Sequence, residues 1–505
     1  MTETPPRARH DLRLYAALFA LGLVVYGLLA WSRLGKQSGA PHFVYQADAW
    51  LHGSIAVEPP LPADDWAVVE TVVLDDGTEV SGRRMVTRKP FRLTKQAFRA
   101  LDGREYGSCL SANQPAQKTC SMPGSRVRAS RGYVHFVSFP PVPSLIMLPS
   151  ALISGRAGND VIPTIVFAAL IVPLTLLLLR RLADAGHSTR TLREDLWLVA
   201  LLAFGSVLVF SSVQGKVWYT AHVVGVVLAL VYAWASIEAR HPAIAGVALG
   251  LAALTRTSMA FMFPIFVFEV WRMAAKTTAA EAPPNASASL NLKTGRKQMW
   301  VAIRRPLLHF AIPIVVFAIL GMLYNYVRFH SPTEFGHTYL ALGDHRPVRQ
   351  QTQIETWGLA SYHYLSRNLS VALTLLPELL PRAPWVQISG HGLALWVTTP
   401  ALLMVVWPRH KGALHLPLWL TVLFVALPSL FYMNSGWVQF GYRFSLDYLV
   451  FLVMLIAIGG RPLTSLVKTL IVLGIAINLF GAITFDRDWK YYRVAGNAYD
   501  AVVAN

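Results

Sequence analysis

Charge is scarce in this chain: only 14% of its 505 residues are Asp, Glu, Lys or Arg, against 54% hydrophobic, where a soluble protein of this size carries about 25% charge. That deficit excludes an ordinary soluble globular protein. Several apolar runs reach the roughly 20 residues needed to cross a bilayer. Cysteine is nearly absent, with two residues in all, so a disulfide-built or multi-cysteine metal scaffold is excluded. No HExxH, GxSxG or phosphate-loop pattern occurs, which removes zinc-peptidase, serine-hydrolase and ATP-driven readings. Acidic residues number 27 against 45 basic ones. The resulting charge of +18 is no nucleic-acid signature, because much of it sits in short loops between apolar runs, where it sets orientation.

These features define an all-α polytopic membrane protein. The first run, Leu12 to Trp31, follows Arg7, Arg9 and Arg13 without a small-residue cleavage site, and reads as a retained anchor with an inner N-terminus. Residues 1–32 form that unit, and residues 33–142 follow as a large outer loop. Residues 143–271 hold a proline-rich re-entrant segment, "SFPPVPSLIMLPSALIS", and spans at Val161 to Leu179, Leu196 to Ser212 and Tyr219 to Ile237. Two short helices over 242–271 then meet at an outer "LTRTS" turn. Residues 272–305 read as a basic, disordered inner loop. Residues 306–484 hold the remaining spans, with a second outer segment at 328–390, and 485–505 form an outer tail. The sum is about eleven crossings, counting both short helices.

The first outer loop is expected to be mixed α/β. "WAVVETVVLDDGTEVSGRRMV" reads as two strands around Asp76-Gly77, a hairpin signal. Cys109 and Cys120 both fall in this loop and suit a disulfide in an oxidising compartment. A metal pair is the alternative, but two further ligands of suitable type are lacking nearby.

Candidate site residues are the polar groups that the apolar pattern does not account for. Arg256 stands in the middle of a thirty-residue apolar stretch, where a charge is costly and marks function or a headgroup contact. Lys216, Tyr219 and His222 occupy the outer turn "VQGKVWYTAH". Arg443 and Asp447 stand four apart in "GWVQFGYRFSLDY", a spacing that would pair them on one helix face. "NYVRFHSPTEFGHTY" adds a polar strip, Asn325 to Tyr339, that reads as a solvated loop. In the first loop, Asp48 lies among aromatics in "HFVYQADAWLHG", beside Tyr45 and His52.

Cations meeting at one membrane face suit a phosphate whose tail is lipid. A single carboxylate beside them suits a general base in a single displacement. Lys216, His222, Arg256 and Arg443 are therefore the expected donor-phosphate ligands, and Tyr45, His52, Tyr219 and Asp447 the expected substrate contacts. Asp48 is the expected base; Asp64, Asp65, Asp75, Asp76 and Asp102 share its loop, but Asp48 lies nearest the membrane in an apolar-aromatic segment, where burial could tune its basicity. His42 and His52 lie close to Asp48, yet no metal or other cofactor is assigned.

With these residues in view, the chain resembles the GT-C superfamily of membrane glycosyltransferases, which includes protein O-mannosyltransferases and lipid A aminoarabinose transferases. The likeness rests on the first-loop Asp, on "GLAALTRTS", on "YNYVRFHSPTEFG" and on "FGYRFSLDYLVF". It implies a polyprenyl-phosphate-linked sugar donor, catalysis on the outer membrane face and usually inversion at the anomeric carbon. The acceptor, whether lipid, glycan or protein, stays open, and the compactness and outer-loop chemistry favour a bacterial inner membrane with a periplasmic site. Asp48 departs from the adjacent Asp-Glu pair of many members, being flanked by Ala47 and Ala49. The loop is also larger than the minimal pattern, which points to a specialised acceptor. A transporter or flippase of a lipid-linked sugar is the competing expectation. It calls for inverted repeats and paired broken helices, of which only the Arg256 region is a candidate. A third is a non-catalytic scaffold that presents the first outer loop.

Overall fold

The structure, a computed structural model, describes residues 7–89, 92–108, 126–280, 288–340 and 348–494. Helix α1 (Arg7–Leu29) and the short α2 (His42–Leu51) lead into a five-stranded antiparallel sheet. Its strands are β1 (Trp66–Leu74), β2 (Glu79–Lys89), β3 (Arg92–Ala100), β4 (Glu105–Gly107) and β5 (Val127–Val137), in the order β4-β3-β2-β1-β5. The hairpin expected at Asp76-Gly77 joins β1 to β2, with Thr71 opposite Ser81 and Val73 opposite Glu79. The Asp76 carboxylate accepts the Thr78 N–H at 2.9 Å and closes the turn. Successive β1 side chains go to opposite faces: Val72 and Leu74 pack with Phe98 and Val127, whereas Ala67 and Val69 pack with Phe136 and Phe329. The second face binds the sheet to the helical body. Cys109 and Cys120 lie outside the described residues.

Two short helices, α3 (Val142–Leu145) and α4 (Leu148–Ser154), follow the sheet. Prolines at 141, 143 and 149 begin them and keep them short. The helical body comprises α5 (Val161–Asp184), α6 (Leu192–Ala203), α7 (Leu208–Ser212), α8 (Val217–Ser236), α9 (Pro242–Ala253), α10 (Pro264–Ala280) and α11 (Ala288–Phe329). After α12 (Val348–Trp357) and α13 (Leu365–Leu373) come β6 (Glu378–Leu379) and β7 (Val386–Ser389). Then follow α14 (Leu395–Thr398), α15 (His415–Leu430), α16 (Leu449–Ile458), α17 (Ser465–Thr484) and β8 (Tyr492–Arg493), the last parallel to β7.

Among the described residues six helices are long and apolar enough to cross a membrane, and α9, α15 and α16 are shorter apolar helices. Burial sorts them. The α8 span is 83% buried inside the protein, while those of α1 and α11 are 17% and 11% buried, so α8 is the axis and the other two face lipid. The span expected at Leu196 to Ser212 is broken into α6 and α7 at Gly205, which lies against the Ile471 carbonyl of α17. The apolar stretch after α14 is likewise interrupted at Pro400, where a 3₁₀ helix, Pro400–Val406, takes over. Helix also enters the 272–305 stretch from both sides, through α10 and α11, in an alanine-rich sequence that favours it.

Candidate functional site

Asp48 is carried by α2. The apolar face of that helix, Phe43, Val44 and Ala47, packs on Met147 and Ala151 and on Val217 and Ala221 at the head of α8. Its polar face is bonded as well. Gln46 donates to the Tyr324 hydroxyl at 2.7 Å and accepts from the Ser144 hydroxyl at 2.5 Å. His42 stacks on Trp66 with ring centroids 3.9 Å apart, its Nε2 lying 2.8 Å from the Asp64 carbonyl. Burial holds the His42 imidazole down at about 4. A helix pinned on two faces presents Asp48 on a third. That side chain is 14% exposed, and the one basic side chain within 4.0 Å of it among the described residues is the imidazole of His52, at 3.6 Å and 75% exposed. Its carboxylate makes no hydrogen bond to the protein among the described residues, so its lone pairs are free for a substrate. Tyr45, half-buried, packs against Trp66 at 5.6 Å.

The second centre is Asp447. Its fully buried carboxylate accepts from Arg256 Nε at 2.5 Å, from the Ser258 hydroxyl at 2.6 Å and, on the side shared with Arg256, from His222 Nδ1 at 3.0 Å. The bond to Nδ1 leaves Nε2 of His222 buried and without a protein partner among the described residues. Arg256 lies three residues beyond α9, in extended backbone at the head of a 3₁₀ helix, Thr257–Met262. Its guanidinium lies 5.2 Å over the Phe444 ring, and its two Nη groups bond to no protein atom among the described residues. Arg443 stacks on the same ring at 5.4 Å and on Tyr219 at 5.4 Å. It donates to the carbonyls of Gly436 and Val438, and the Tyr219 hydroxyl donates to the latter at 3.0 Å. Two guanidinium groups and one carboxylate around Phe444 leave a net positive centre, suited to a multiply charged anion such as a phosphate.

Three expectations are corrected here. Asp447 does not pair with Arg443, because residues 443–447 form a 3₁₀ helix; at three residues per turn, positions four apart diverge by about 120°. Lys216 is not in the Arg256 cluster. Its ammonium lies 2.8 Å from Asp486, beyond the end of α17. The strip from Asn325 to Tyr339 is not a solvated loop. Arg328 is buried and donates to the Val137 carbonyl at 2.7 Å. The turn at Gly336, which adopts φ +101°, is packed against Ala67, Phe329 and Ser138, leaving no room for a Cβ.

Asp48 and the Asp447 cluster share no hydrogen bond or ion pair among the described residues, but one scaffold holds both. Val217 and Ala221 of α8 support α2, and the next residue, His222, grips Asp447. On the other side, the Val142 N–H donates to the Leu254 carbonyl at 3.1 Å, two residues before Arg256, while Ser144 of the same α3 binds Gln46. Sequence reasoning missed Ser258, Ser144 and Gln46. The only signal for Ser258 was its place within the "LTRTS" turn. Among the described residues no three His, Cys, Asp or Glu side chains converge as metal ligands.

No family model matches the chain, and no curated protein sequence matches it. Among solved structures it is similar to the oligosaccharyltransferase of Archaeoglobus fulgidus in its apo form, at 12% identity and a TM-score of 0.38. It is also similar to the archaeal oligosaccharyltransferase AglB from the same organism in complex with an inhibitory peptide and a dolichol-phosphate, at 11% identity and a TM-score of 0.39. Both matches cover 97% of this chain, which spans only 57% of either of those chains.

Proposed function

We propose that the protein is a membrane glycosyltransferase of the GT-C type. It moves a sugar from a polyprenyl-phosphate donor to an acceptor hydroxyl on the membrane side that carries the sheet. The observation that carries this reading is Arg256, fixed through Nε by a buried carboxylate with both Nη groups unspent, on the scaffold that also holds the unbonded carboxylate of Asp48. The Nη groups of Arg256 bind the donor phosphate, and Arg443 adds positive field from behind Phe444; His222 holds Asp447 through Nδ1, which leaves its Nε2 an acceptor for a hydroxyl of the donor. The Asp48 carboxylate takes the proton of the acceptor hydroxyl as that oxygen bonds to the anomeric carbon. The carbon–oxygen bond to phosphate breaks with its electron pair staying on the phosphate, where the guanidinium stabilises it. Attack opposite the leaving group inverts the anomeric centre. Tyr45 and His52 flank the acceptor side, while Tyr219 serves by fixing Arg443. The eleven-crossing topology, with an inner N-terminus and a periplasmic site in a bacterial inner membrane, belongs to this proposal.

The test is sugar transfer from a panel of polyprenyl-phosphate sugars in reconstituted membranes, comparing wild type with Asp48→Asn. Loss of turnover with donor binding intact is the expected result. Normal transfer by Asp48→Asn would remove Asp48 from the chemistry. Movement of lipid-linked sugar across the bilayer without transfer by the wild type would make the protein a transporter.

A further inference from the structure

We propose that the protein holds a phosphate-bearing anionic lipid headgroup in a second site, separate from the Arg256 cluster and independent of whether it transfers sugar. The site is an open cleft of about 180 Å³ between the strap that follows α1 and the head of α8, lined by Arg33, Lys36, Gln214, Lys216 and Asp486 among others.

Its charge is set by the fold. Arg33 donates to the carbonyls of Val213 at 3.2 Å and Phe485 at 3.0 Å, which fixes its guanidinium at the cleft wall, 3.8 Å from Asp486. Lys216 reaches the same carboxylate at 2.8 Å with its side chain 22% exposed, and Lys36 is exposed at the rim. Three cations facing one carboxylate leave a charge of +2 in the lining. Asp160, which is not in the lining, is buried beside the strap and already accepts from the Ser38 N–H and hydroxyl at 2.8 and 2.5 Å.

Gln214 is the independent observation. Its side chain is 1% exposed, yet neither Oε1 nor Nε2 has a hydrogen-bond partner among the described residues. A buried amide left unpaired is rare and costly. A phosphate oxygen in the cleft would accept from its Nε2, and from Lys216 and Lys36.

Depth identifies the phosphate as lipid-borne. The strap begins one turn beyond the apolar stretch Leu12–Leu29, which is where headgroups lie. Exposed Leu21, Val24 and Leu28 form a stripe on α1 leading to it, with exposed Trp31 at its head, the usual place of an interfacial tryptophan.

The experiment titrates the full chain, delipidated in neutral detergent, with short-chain phosphatidic acid in an Arg256→Gln background, so that the first anion site does not contribute. One saturable binding event is expected. Lys36→Gln with Lys216→Gln should weaken it about tenfold or more, and Asp486→Asn should strengthen it several-fold by removing the competing carboxylate. Inorganic phosphate at the same concentration should not displace the lipid; displacement would reassign the cleft to a soluble phosphate and overturn the lipid assignment. Binding that is absent, or indifferent to both the lysine and Asp486 changes, overturns the site itself. The opposite signs of the two substitutions separate the proposal from a loss of folding.

Discussion

The pair Arg256–Asp447 carries a quantitative expectation. Asp447 is fully buried and is the shared acceptor for Arg256, Ser258 and His222. Asp447→Ala strands a guanidinium and two further donors. Removing one partner of a buried ion pair costs about 3–5 kcal/mol. Because the Arg256 side chain is 18% exposed and water can reach it, the low end of about 3 kcal/mol applies. Replacing both partners by apolar residues, Asp447→Leu with Arg256→Met, removes the stranded charge. The double variant should therefore lose less stability than the two single changes summed, by about 1–3 kcal/mol. Unfolding in mixed micelles, followed by circular dichroism across a denaturant series, measures the cycle. Donor affinity should fall in all three variants, since each loses or releases the guanidinium. Additivity within about 0.5 kcal/mol would refute the reasoning, for it would mean that Asp447 does not hold Arg256.

Three further outcomes follow from the same geometry. His42, pushed by burial from an ordinary 6.5 to about 4, folds neutral while the unfolded chain binds a proton, so stability falls as pH drops below about 6.5 and the loss levels near pH 4. Its size is about 3 kcal/mol; His42→Phe should flatten that acid limb in a pH series of unfolding midpoints, and an unchanged limb would contradict the assignment. Gly246 and Gly250 let α9 lie against α11, a Cβ at the first overlapping the Phe310 carbonyl and at the second coming within 2.6 Å of the Phe317 ring. Gly246→Leu should cost about 1–3 kcal/mol and lower donor affinity, because α9 sets the position of Arg256; unaltered affinity in a destabilised variant would separate the two. Ser258→Ala, which removes one hydrogen bond to a carboxylate, should raise KM for the donor more than it changes kcat, and equal losses in both would place Ser258 in the chemistry instead.

What was legible in the sequence was whatever short-range periodicity or a local conflict could express. The β1–β2 hairpin follows from alternation around Asp76-Gly77, and the long apolar helices from length alone. Arg256 stood out because a cation within thirty apolar residues contradicts its surroundings, and the structure resolves the contradiction with a carboxylate 191 positions later. That partner could not be read. The four-residue spacing of Arg443 and Asp447 suggests a local pair only if the backbone is α-helical, and a 3₁₀ segment turns Asp447 toward α8 and the turn that follows α9 instead. Lys216 failed for a related reason. Its neighbours in sequence point to His222, but it stands immediately before α8 and meets Asp486 in the chain leaving α17, so one helix head faces two separate polar clusters. Both errors have one physical origin, since polar residues in an apolar body must find partners wherever the packing brings them, and packing joins distant segments. The same constraint makes the residual cases informative. Gln214 is such a case: its buried amide is unmatched among the described residues and stands beside Arg33, Lys36 and Lys216, cations that suit the headgroup phosphate proposed above.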